Sequence, residues 1–199
     1  MIAIVDYGMG NLFSLKNALD SIGADSEVTS NAEQIAKADK VILPGVGAFP
    51  AAMKRLVDSK LAFVLQAEAK RKPLLGICLG MQLLFDSSDE VEQTAGLSLL
   101  RGHVKLMTPS GGLDVPHMGW NSLVKGARSS LTDSFSEGDF VYFVHSFLAD
   151  TDDEYISAYA EYGGRVPAIV TDGAYVTGTQ FHPEKSGETG LTMLKHWCF

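Results

Sequence analysis

The fold of this chain is indicated by twelve consecutive residues, Leu74-Leu75-Gly76-Ile77-Cys78-Leu79-Gly80-Met81-Gln82-Leu83-Leu84-Phe85. The apolar run Leu74–Ile77 predicts a buried strand, and the good helix formers at residues 81–85 predict a helix directly after it. Cys78 lies in the elbow between them, with a glycine two residues away on either side. These small neighbours leave backbone room for a tight turn, as in the Gly-x-Ser-x-Gly elbow of hydrolases.

Cys78 is the candidate nucleophile. A helix N-terminus stabilises a thiolate, and the amide of Leu79 would point at a developing oxyanion. The alternative is a small buried hydrophobic residue whose glycine neighbours only ease helix packing. The other cysteine, Cys198, is the penultimate residue, where chain ends fray and a catalytic geometry is hard to hold. We therefore favour Cys78 as the reactive thiol.

Strand and helix patterns alternate in the first half of the chain. Strand-like runs lie at residues 2–6, 26–29, 40–43 and 74–77. Helical spacing follows the first run at Leu12, Leu15 and Leu19, and Asn31 with Gln34 suits a capped helix start. Two further helical stretches lie within residues 49–70. This alternation predicts an α/β fold with a largely parallel central sheet flanked by helices.

The character changes after about Gly96. Short strand-like runs follow at residues 103–107, 141–144, 168–171 and 175–180, and helical spacing returns at Leu191 and Leu194. We expect an added mixed or antiparallel sheet portion here. No internal repeat or Pro/Ser-rich linker marks a second domain, so one domain is predicted over residues 1–199.

Composition excludes several function classes. The chain has 16 basic and 24 acidic residues and a net charge of −8, which argues against nucleic-acid binding. No stretch approaches the roughly 20 apolar residues of a membrane span, and no basic flank precedes the first apolar run, so we predict a cytoplasmic protein. Two cysteines form no disulfide framework, and no zinc-ligand spacing occurs. No metal or organic cofactor is implied.

The candidate base is His182, in the triplet His182-Pro183-Glu184. The triplet follows the strand predicted at residues 175–180, and the C-terminal strand ends of open parallel sheets carry active sites. In an extended segment residues i and i+2 face the same side, so Glu184 could hold the imidazole that His182 presents to Cys78. A surface loop is the alternative, and His145, after the strand at 141–144, is the rival base.

With these elements in this order, the chain resembles the class I (triad) glutamine amidotransferases over nearly its full length. In particular it resembles the branch that supplies ammonia for histidine biosynthesis. Six ordered motifs carry the resemblance: Asp6-Tyr7-Gly8-Met9-Gly10-Asn11-Leu12, Pro44-Gly45-Val46-Gly47-Ala48-Phe49, Gly76-Ile77-Cys78-Leu79-Gly80-Met81-Gln82, Pro116-His117-Met118-Gly119-Trp120-Asn121, His145-Ser146 and His182-Pro183-Glu184-Lys185-Ser186.

The resemblance implies a role for each matched residue. Cys78 would form a glutamyl thioester, His182 would protonate the departing ammonia and activate water, and Glu184 would orient His182. Two residues would form the oxyanion hole, Val46 and Leu79. Four would bind substrate: Gly47, Gln82, His145 and Ser146. One departure is Phe147, where the family pattern predicts Tyr, so a hydroxyl that could bond substrate or partner is missing.

The resemblance also implies a partner that receives the ammonia. It would be a (β/α)-barrel cyclase subunit, joined to this chain as a heterodimer. The residues that look like the family's docking surface are Asn11, Met118, Trp120, Lys185 and Ser186. An exposed Trp beside a Met suits an interface anchor, and a Trp buried in a core strand is the alternative.

Three competing interpretations remain at this point. A free-standing cysteine hydrolase or peptidase explains Cys78 and His182 but leaves Val46 and Trp120 without roles. A dinucleotide-binding module is suggested by Gly8-x-Gly10, although Phe13 occupies the third glycine position. A different class I amidotransferase, such as an anthranilate synthase or a guanylate synthetase glutaminase, would share the glutamine chemistry and differ in its acceptor.

Overall fold

The first half of the chain alternates strands with helices, as the sequence predicts. A computed structural model describes residues 1–127 and 129–199. Asn side chains cap two of the helices: Asn11 accepts from Ser14 N, and Asn31 accepts from Glu33 N and Gln34 N. The elements are β1 (Ile2–Val5), α1 (Leu12–Ser21), β2 (Ser26–Thr29), α2 (Ala32–Lys37), β3 (Lys40–Leu43), α3 (Phe49–Asp58), α4 (Leu61–Glu68) and β4 (Leu74–Ile77).

The second half is richer in strands. A short helix, α5 (Leu79–Gln82), follows β4, and α6 (Gly187–Cys198) ends the chain. Short 3-10 helices lie at Ser130–Ser134, Asp153–Tyr155 and Pro183–Lys185. The strands are β5 (Ser87–Ser88), β6 (Thr94–Ala95), β7 (His103–Leu106), β8 (His117–Ser122), β9 (Val124–Lys125), β10 (Phe140–His145), β11 (Phe147–Asp150), β12 (Ile156–Glu161), β13 (Arg165–Thr171) and β14 (Val176–Thr179).

The central sheet has the strand order β2-β1-β3-β4-β14-β13-β12-β9. Strands β2, β1, β3, β4 and β14 pair in parallel, and β13, β12 and β9 continue the sheet in antiparallel fashion. This confirms the predicted parallel sheet with an antiparallel portion. In the β4–β14 register Ile77 lies opposite Thr179, so Cys78 and Gln180 leave the sheet side by side.

Two smaller sheets stand beside the central one. Strands β11, β7, β5 and β6 form one of them. Strands β8 and β10 pair antiparallel, with Trp120 opposite Tyr142 and His117 opposite His145. We call this pair the β8–β10 ribbon. Because side chains alternate along a strand, His117 and His145 lie on one face of the ribbon and Trp120 and Tyr142 on the other.

The inner strands of the central sheet are buried on both faces. Val41 and Leu43 belong to one core cluster, whereas Ile4 and Ile42 belong to the cluster on the opposite face. Parallel strands covered on both sides require such continuous apolar runs. No helix within residues 1–127 and 129–199 is both long and apolar enough to cross a membrane.

The helix after Cys78 is shorter than the sequence predicts, since α5 ends at Gln82. The carbonyl groups that would continue the helix bond a later segment instead. Leu83 O accepts from Leu97 N, Leu84 O accepts from Leu99 N and Leu100 N, and Phe85 O accepts from Ser98 N. These tertiary hydrogen bonds override the helix propensity of residues 83–85.

Candidate active site

Cys78 occupies a strained elbow between β4 and α5. Its φ of 54° and ψ of −111° lie in a region that non-glycine residues rarely adopt. A Cβ atom at Gly76 would lie 2.6 Å from the Gly80 carbonyl oxygen, and one at Gly80 would overlap the carbonyl oxygen of Leu43. Both glycines are therefore required by close backbone packing, which confirms the predicted elbow.

His182 and Glu184 form a buried pair at the end of the neighbouring strand. His182 Nδ1 lies 2.8 Å from Glu184 Oε1, and both side chains are about 3% exposed. His182 itself has extended backbone geometry, but Glu184 approaches it through the 3-10 turn Pro183–Lys185 and not through the extended segment expected from sequence. Ser186 Oγ donates to the His182 carbonyl at 2.6 Å and fixes this turn.

The electrostatics of His182 follow from its neighbours. Burial lowers its pKa, but the Cys78 thiol and the Glu184 carboxylate outweigh that effect and raise the pKa to about 9. His182 Nε2 is buried and forms no well-aligned hydrogen bond. The imidazolium form is thus favoured beside the thiol, and Nε2 is free to exchange a proton with a reacting group.

A cavity of about 430 Å³ opens over Cys78 and His182. Most residues that the sequence assigns to catalysis, the oxyanion hole and substrate binding line it: Val46, Gly47, Cys78, Leu79, Gln82, His145, Ser146 and His182. Glu184 lies behind His182 and does not line the cavity. These residues come from four segments distant in sequence, which meet at the C-terminal edge of the parallel strands.

The loop after β3 forms one rim of the cavity. Tyr7 Oη donates to the Pro44 carbonyl at 2.9 Å, and a Cβ at Gly45 would lie 2.6 Å from that hydroxyl. Gly47 has φ of +103°, a conformation that side chains rarely tolerate. Across the described residues, the Val46 N–H has no hydrogen-bond acceptor. This loop therefore carries an unused donor beside Cys78.

Gln180 is a site residue that the sequence interpretation missed. It is completely buried and accepts from Gln82 Nε2 at 3.0 Å, while its own Nε2 lies 3.9 Å from Cys78 Sγ. The available signal was its position directly after β14, at the sheet edge where Cys78 follows β4.

Glu90 was missed as well, because no local motif surrounds it. Glu90 lines the cavity, and its Oε2 accepts from Phe49 N at 2.7 Å. A carboxylate at the start of α3 is stabilised by the helix dipole. Pro116, Val144 and Phe147 complete the lining. In the described part of the chain, no group of three or more His, Cys, Asp or Glu is arranged to hold a metal ion.

Both ring nitrogens of His145, the rival base, contact groups other than Cys78. Its Nδ1 donates to the Phe147 carbonyl at 2.8 Å, and its Nε2 lies 3.1 Å from His117 Nδ1. Burial lowers the pKa of His145 to about 3. His145 therefore lines the cavity as a neutral ring, and His182 is the histidine that interacts with Cys78.

The predicted docking residues separate into surface and buried groups. Met118 and Trp120 are 62% and 55% exposed, which contradicts the alternative of a Trp buried in a core strand. Lys185 is exposed and Asn11 is half-buried as the cap of α1. Ser186 does not lie on this surface: it is 1% exposed, and its hydroxyl supports His182.

The family comparison agrees with this geometry. The sequence model of the family "Glutamine amidotransferase class-I" matches residues 3–199. An imidazole glycerol phosphate synthase subunit HisH of Bacillus cereus (strain AH187) is 52% identical over 199 residues, covering 99% of this chain and 93% of the relative. The subunit of the same name from Bacillus anthracis is also 52% identical, with the same coverage of both chains.

Solved structures support the fold. A crystal structure of a glutamine amidotransferase matches with a TM-score of 0.76 and 18% identity, covering 99% of each chain. PurLQS from Thermotoga maritima matches with a TM-score of 0.74 and 22% identity, covering 98% of this chain and 95% of the other. The predicted fold class is confirmed, and the family match decides against a dinucleotide-binding module. The chain belongs to the class-I glutamine amidotransferases, and its relatives within them are HisH subunits.

Proposed function

We propose that this chain is the glutaminase subunit of imidazole glycerol phosphate synthase and hydrolyses glutamine with Cys78, His182 and Glu184. The observation that carries the proposal is the convergence of a strained Cys elbow and a buried His–Glu pair at one cavity. A nucleophile, a base and a group that orients the base are the parts that acyl transfer requires.

The chemistry proceeds in two halves. The Cys78 thiolate attacks the carboxamide carbon of glutamine, and the protonated His182 gives its Nε2 proton to the leaving nitrogen, so that ammonia departs and a glutamyl thioester remains. His182 then takes a proton from water, and the resulting hydroxide attacks the thioester. The Cys78 thiolate leaves, the product acid loses its proton to solvent as glutamate, and the thiolate and the protonated His182 are restored. Glu184 stabilises the imidazolium in both halves.

The oxyanion hole is formed by the amides of Val46 and Leu79. Leu79 is the first residue of α5, so its N–H has no partner within the helix. The Val46 N–H is also unused, and the flanking glycines let that peptide turn toward the developing negative charge. Gly47, Gln82, His145 and Ser146 hold the glutamine.

Ammonia passes to a (β/α)-barrel cyclase subunit in a cytoplasmic heterodimer, with residues 1–199 acting as one domain. The cyclase joins the ammonia to a phosphoribulosyl formimino carboxamide nucleotide, giving imidazole glycerol phosphate and aminoimidazole carboxamide ribotide. The exposed face of the β8–β10 ribbon supports this docking. It presents Met118, Trp120 and Phe140, all more than half exposed, next to the cavity residue Val144.

Ammonia release tests the proposal. Release from glutamine is measured for the chain alone and then with a barrel cyclase subunit that carries its nucleotide ligand. We expect strong stimulation by the liganded partner. Brisk release by the chain alone, unchanged by the partner, would instead identify an independent hydrolase or a different acceptor.

The docking face is tested separately with Trp120→Ala. Truncation of a central aromatic anchor should weaken partner binding about tenfold or more, as measured by titration calorimetry. The matched control is Phe63→Ala, which removes an aromatic ring of 70% exposure on α4 and should leave binding unchanged. Equal binding by both variants and the wild type would contradict docking through this face.

A further inference from the structure

A chain of hydrogen bonds leads from the β8–β10 ribbon to the wall of the cavity. Asn121 Nδ2 lies 3.2 Å from His117 Nε2, and His117 Nδ1 lies 3.1 Å from His145 Nε2. His145 Nδ1 lies 2.8 Å from the Phe147 carbonyl oxygen. His117 is 2% exposed and has no part in the chemistry described above.

The direction of each bond follows from the Phe147 carbonyl, which can only accept. His145 Nδ1 must therefore carry a hydrogen. Burial lowers the pKa of His145 to about 3 and that of His117 to about 4, so each ring is neutral near pH 7 and carries one hydrogen. His145 Nε2 is then an acceptor, and His117 Nδ1 must be the donor to it.

The far end of the chain agrees with this assignment. Asn121 Nδ2 donates to the Glu161 carbonyl at 3.0 Å, and Asn121 Oδ1 accepts from Ser122 N at 2.8 Å. A flipped amide would set its oxygen against the Glu161 carbonyl oxygen, so the orientation of Asn121 is fixed. Its NH2 group therefore faces His117 Nε2, the one ring nitrogen left as an acceptor.

Ring packing holds His117 in position. The imidazole is stacked between Phe143 and Tyr162, with centroid distances of 4.5 Å and 4.0 Å and interplanar angles of 20° and 22°. A ring clamped on both faces cannot turn away from His145. The Nδ1–H of His117 is thus aimed at one acceptor.

The Phe147 carbonyl receives a second hydrogen bond from another cavity side chain. Gln82 Nε2 donates to it at 3.0 Å. Both lone pairs of the carbonyl are used, one by His145 and one by Gln82, and both of these side chains line the cavity. The position of the wall at residues 146–147 therefore depends on which nitrogen of His145 carries the hydrogen.

We propose that His117 is a positioning residue for the glutamine pocket: by fixing the tautomer of His145 it holds the wall at residues 146–147 against Gln82. The inference rests on the proposed function, since it takes this cavity as the glutamine site. Without the His117 donor, the Phe147 carbonyl alone favours the hydrogen on Nδ1 of His145, so Nε2 protonation becomes more populated. Whenever the hydrogen is on Nε2, that carbonyl loses one of its two donors.

The central variant is His117→Phe, which keeps an aromatic ring between Phe143 and Tyr162 and removes both nitrogens. The conservative variant is His117→Gln, whose amide can donate to His145 and accept from Asn121. His196→Phe is the matched control, because His196 is exposed on α6, away from the cavity.

Two measurements separate positioning from general stability. Long-range ¹H–¹⁵N correlation of the histidine rings reports which nitrogen of His145 is protonated in the ligand-free chain. Steady-state kinetics with the partner subunit present separate KM for glutamine from kcat. In His117→Phe we expect the hydrogen of His145 to shift toward Nε2 and KM to rise about tenfold, with kcat within about threefold of wild type. His117→Gln should recover most of the loss in KM.

Several results would overturn the proposal. One is a wild-type His145 that carries its hydrogen on Nε2, a measurement that needs no variant to fold. Others are an unchanged KM in folded His117→Phe, or a His117→Gln variant no better than His117→Phe. If the wild-type chain with its partner releases no ammonia from glutamine, the proposed function fails, while the tautomer of His145 still decides the positioning role.

Discussion

His182 and His145 line the same cavity and are both almost completely buried, yet His182 is held as a cation and His145 as a neutral ring. The pKa of His182 is raised to about 9, whereas that of His145 is lowered to about 3. Burial lowers the pKa of both rings. The difference comes from the groups that they touch: a carboxylate and a thiol at His182, and a neutral imidazole and a carbonyl at His145.

One small cavity can thus hold a protonated histidine and a neutral histidine side by side. A buried histidine becomes a cation only where a fixed negative partner more than repays its lost hydration. Glu184 is that negative partner for His182, whereas His145 has the neutral His117 ring as its neighbour. Changing the partners should therefore exchange the two behaviours.

The largest effect is expected from Cys78→Ala, which removes both the proposed nucleophile and one of the groups that raise the pKa of His182. Ammonia release from glutamine should fall to the background rate, and the pKa of His182 should fall in an NMR titration. Partner binding, followed by calorimetry, should persist because Cys78 is buried. Release at a wild-type rate would refute the assignment of the nucleophile.

Glu184→Gln comes next, because it makes the surroundings of His182 resemble those of His145. The amide keeps the shape of the side chain but removes the charge that supports the imidazolium. We expect kcat to fall by about 10² to 10⁴ and the pKa of His182 to drop below its present value of about 9. A variant with unchanged kcat and an unchanged His182 titration would show that Glu184 has no orienting role.

The two histidine settings also differ in how far the sequence predicts them. Cys78 and the His182–Glu184 pair follow from short local motifs and from the position of those motifs after strands. The contacts of His117 with His145, Phe143 and Tyr162 depend on strand pairing and tertiary packing, which no spacing along the chain reveals. Local sequence motifs thus point to the proposed catalytic groups, whereas the hydrogen-bond network around His117 becomes visible only in the folded chain.

Two further misses have the same cause. Ser186 belongs to a surface motif by resemblance, but the turn at Pro183–Lys185 folds its hydroxyl inward, onto the His182 carbonyl. The helix expected through Phe85 ends at Gln82 because the carbonyl groups of residues 83–85 accept hydrogen bonds from the backbone N–H groups of residues 97–100. In both places a long-range hydrogen bond decides the local structure.

The pH dependence of stability separates the two settings by sign. A lowered folded-state pKa means that the unfolded chain binds more protons, so His117 and His145 lose stability as pH falls below 6.5, by up to about 2 kcal/mol each at pH 5. The contribution of His182 is complete below 6.5 and is lost only as pH rises through about 9.

Urea unfolding between pH 5 and 6.5 measures this difference. The free energy of unfolding should fall less steeply toward acid in His117→Phe than in the wild type. The difference in slope should correspond to about one proton fewer taken up on unfolding, since the carboxylates titrate alike in both. Parallel curves would mean that His117 is not held neutral in the folded chain.

The smallest effect on activity is expected from Asn121→Asp, which gives His117 a carboxylate neighbour like the one at His182. The new charge should raise the pKa of His117 above its present value of about 4. A doubly protonated His117 still donates from Nδ1 to His145, so KM for glutamine should change less than about threefold. A histidine NMR titration checks the first expectation and steady-state kinetics check the second.

The elbow after β4 and the loop after β3 touch at the level of the backbone, where a side chain at Gly80 would overlap the Leu43 carbonyl oxygen. Position 80 therefore has no tolerated alternative that leaves both segments in place. In a randomised library, any residue other than Gly at this position would displace two segments at once, the Cys78 turn and the Pro44–Gly45 loop. The Pro44–Gly45 loop and the Cys78 turn lie more than thirty residues apart in sequence. They are nevertheless expected to change together or to stay unchanged together.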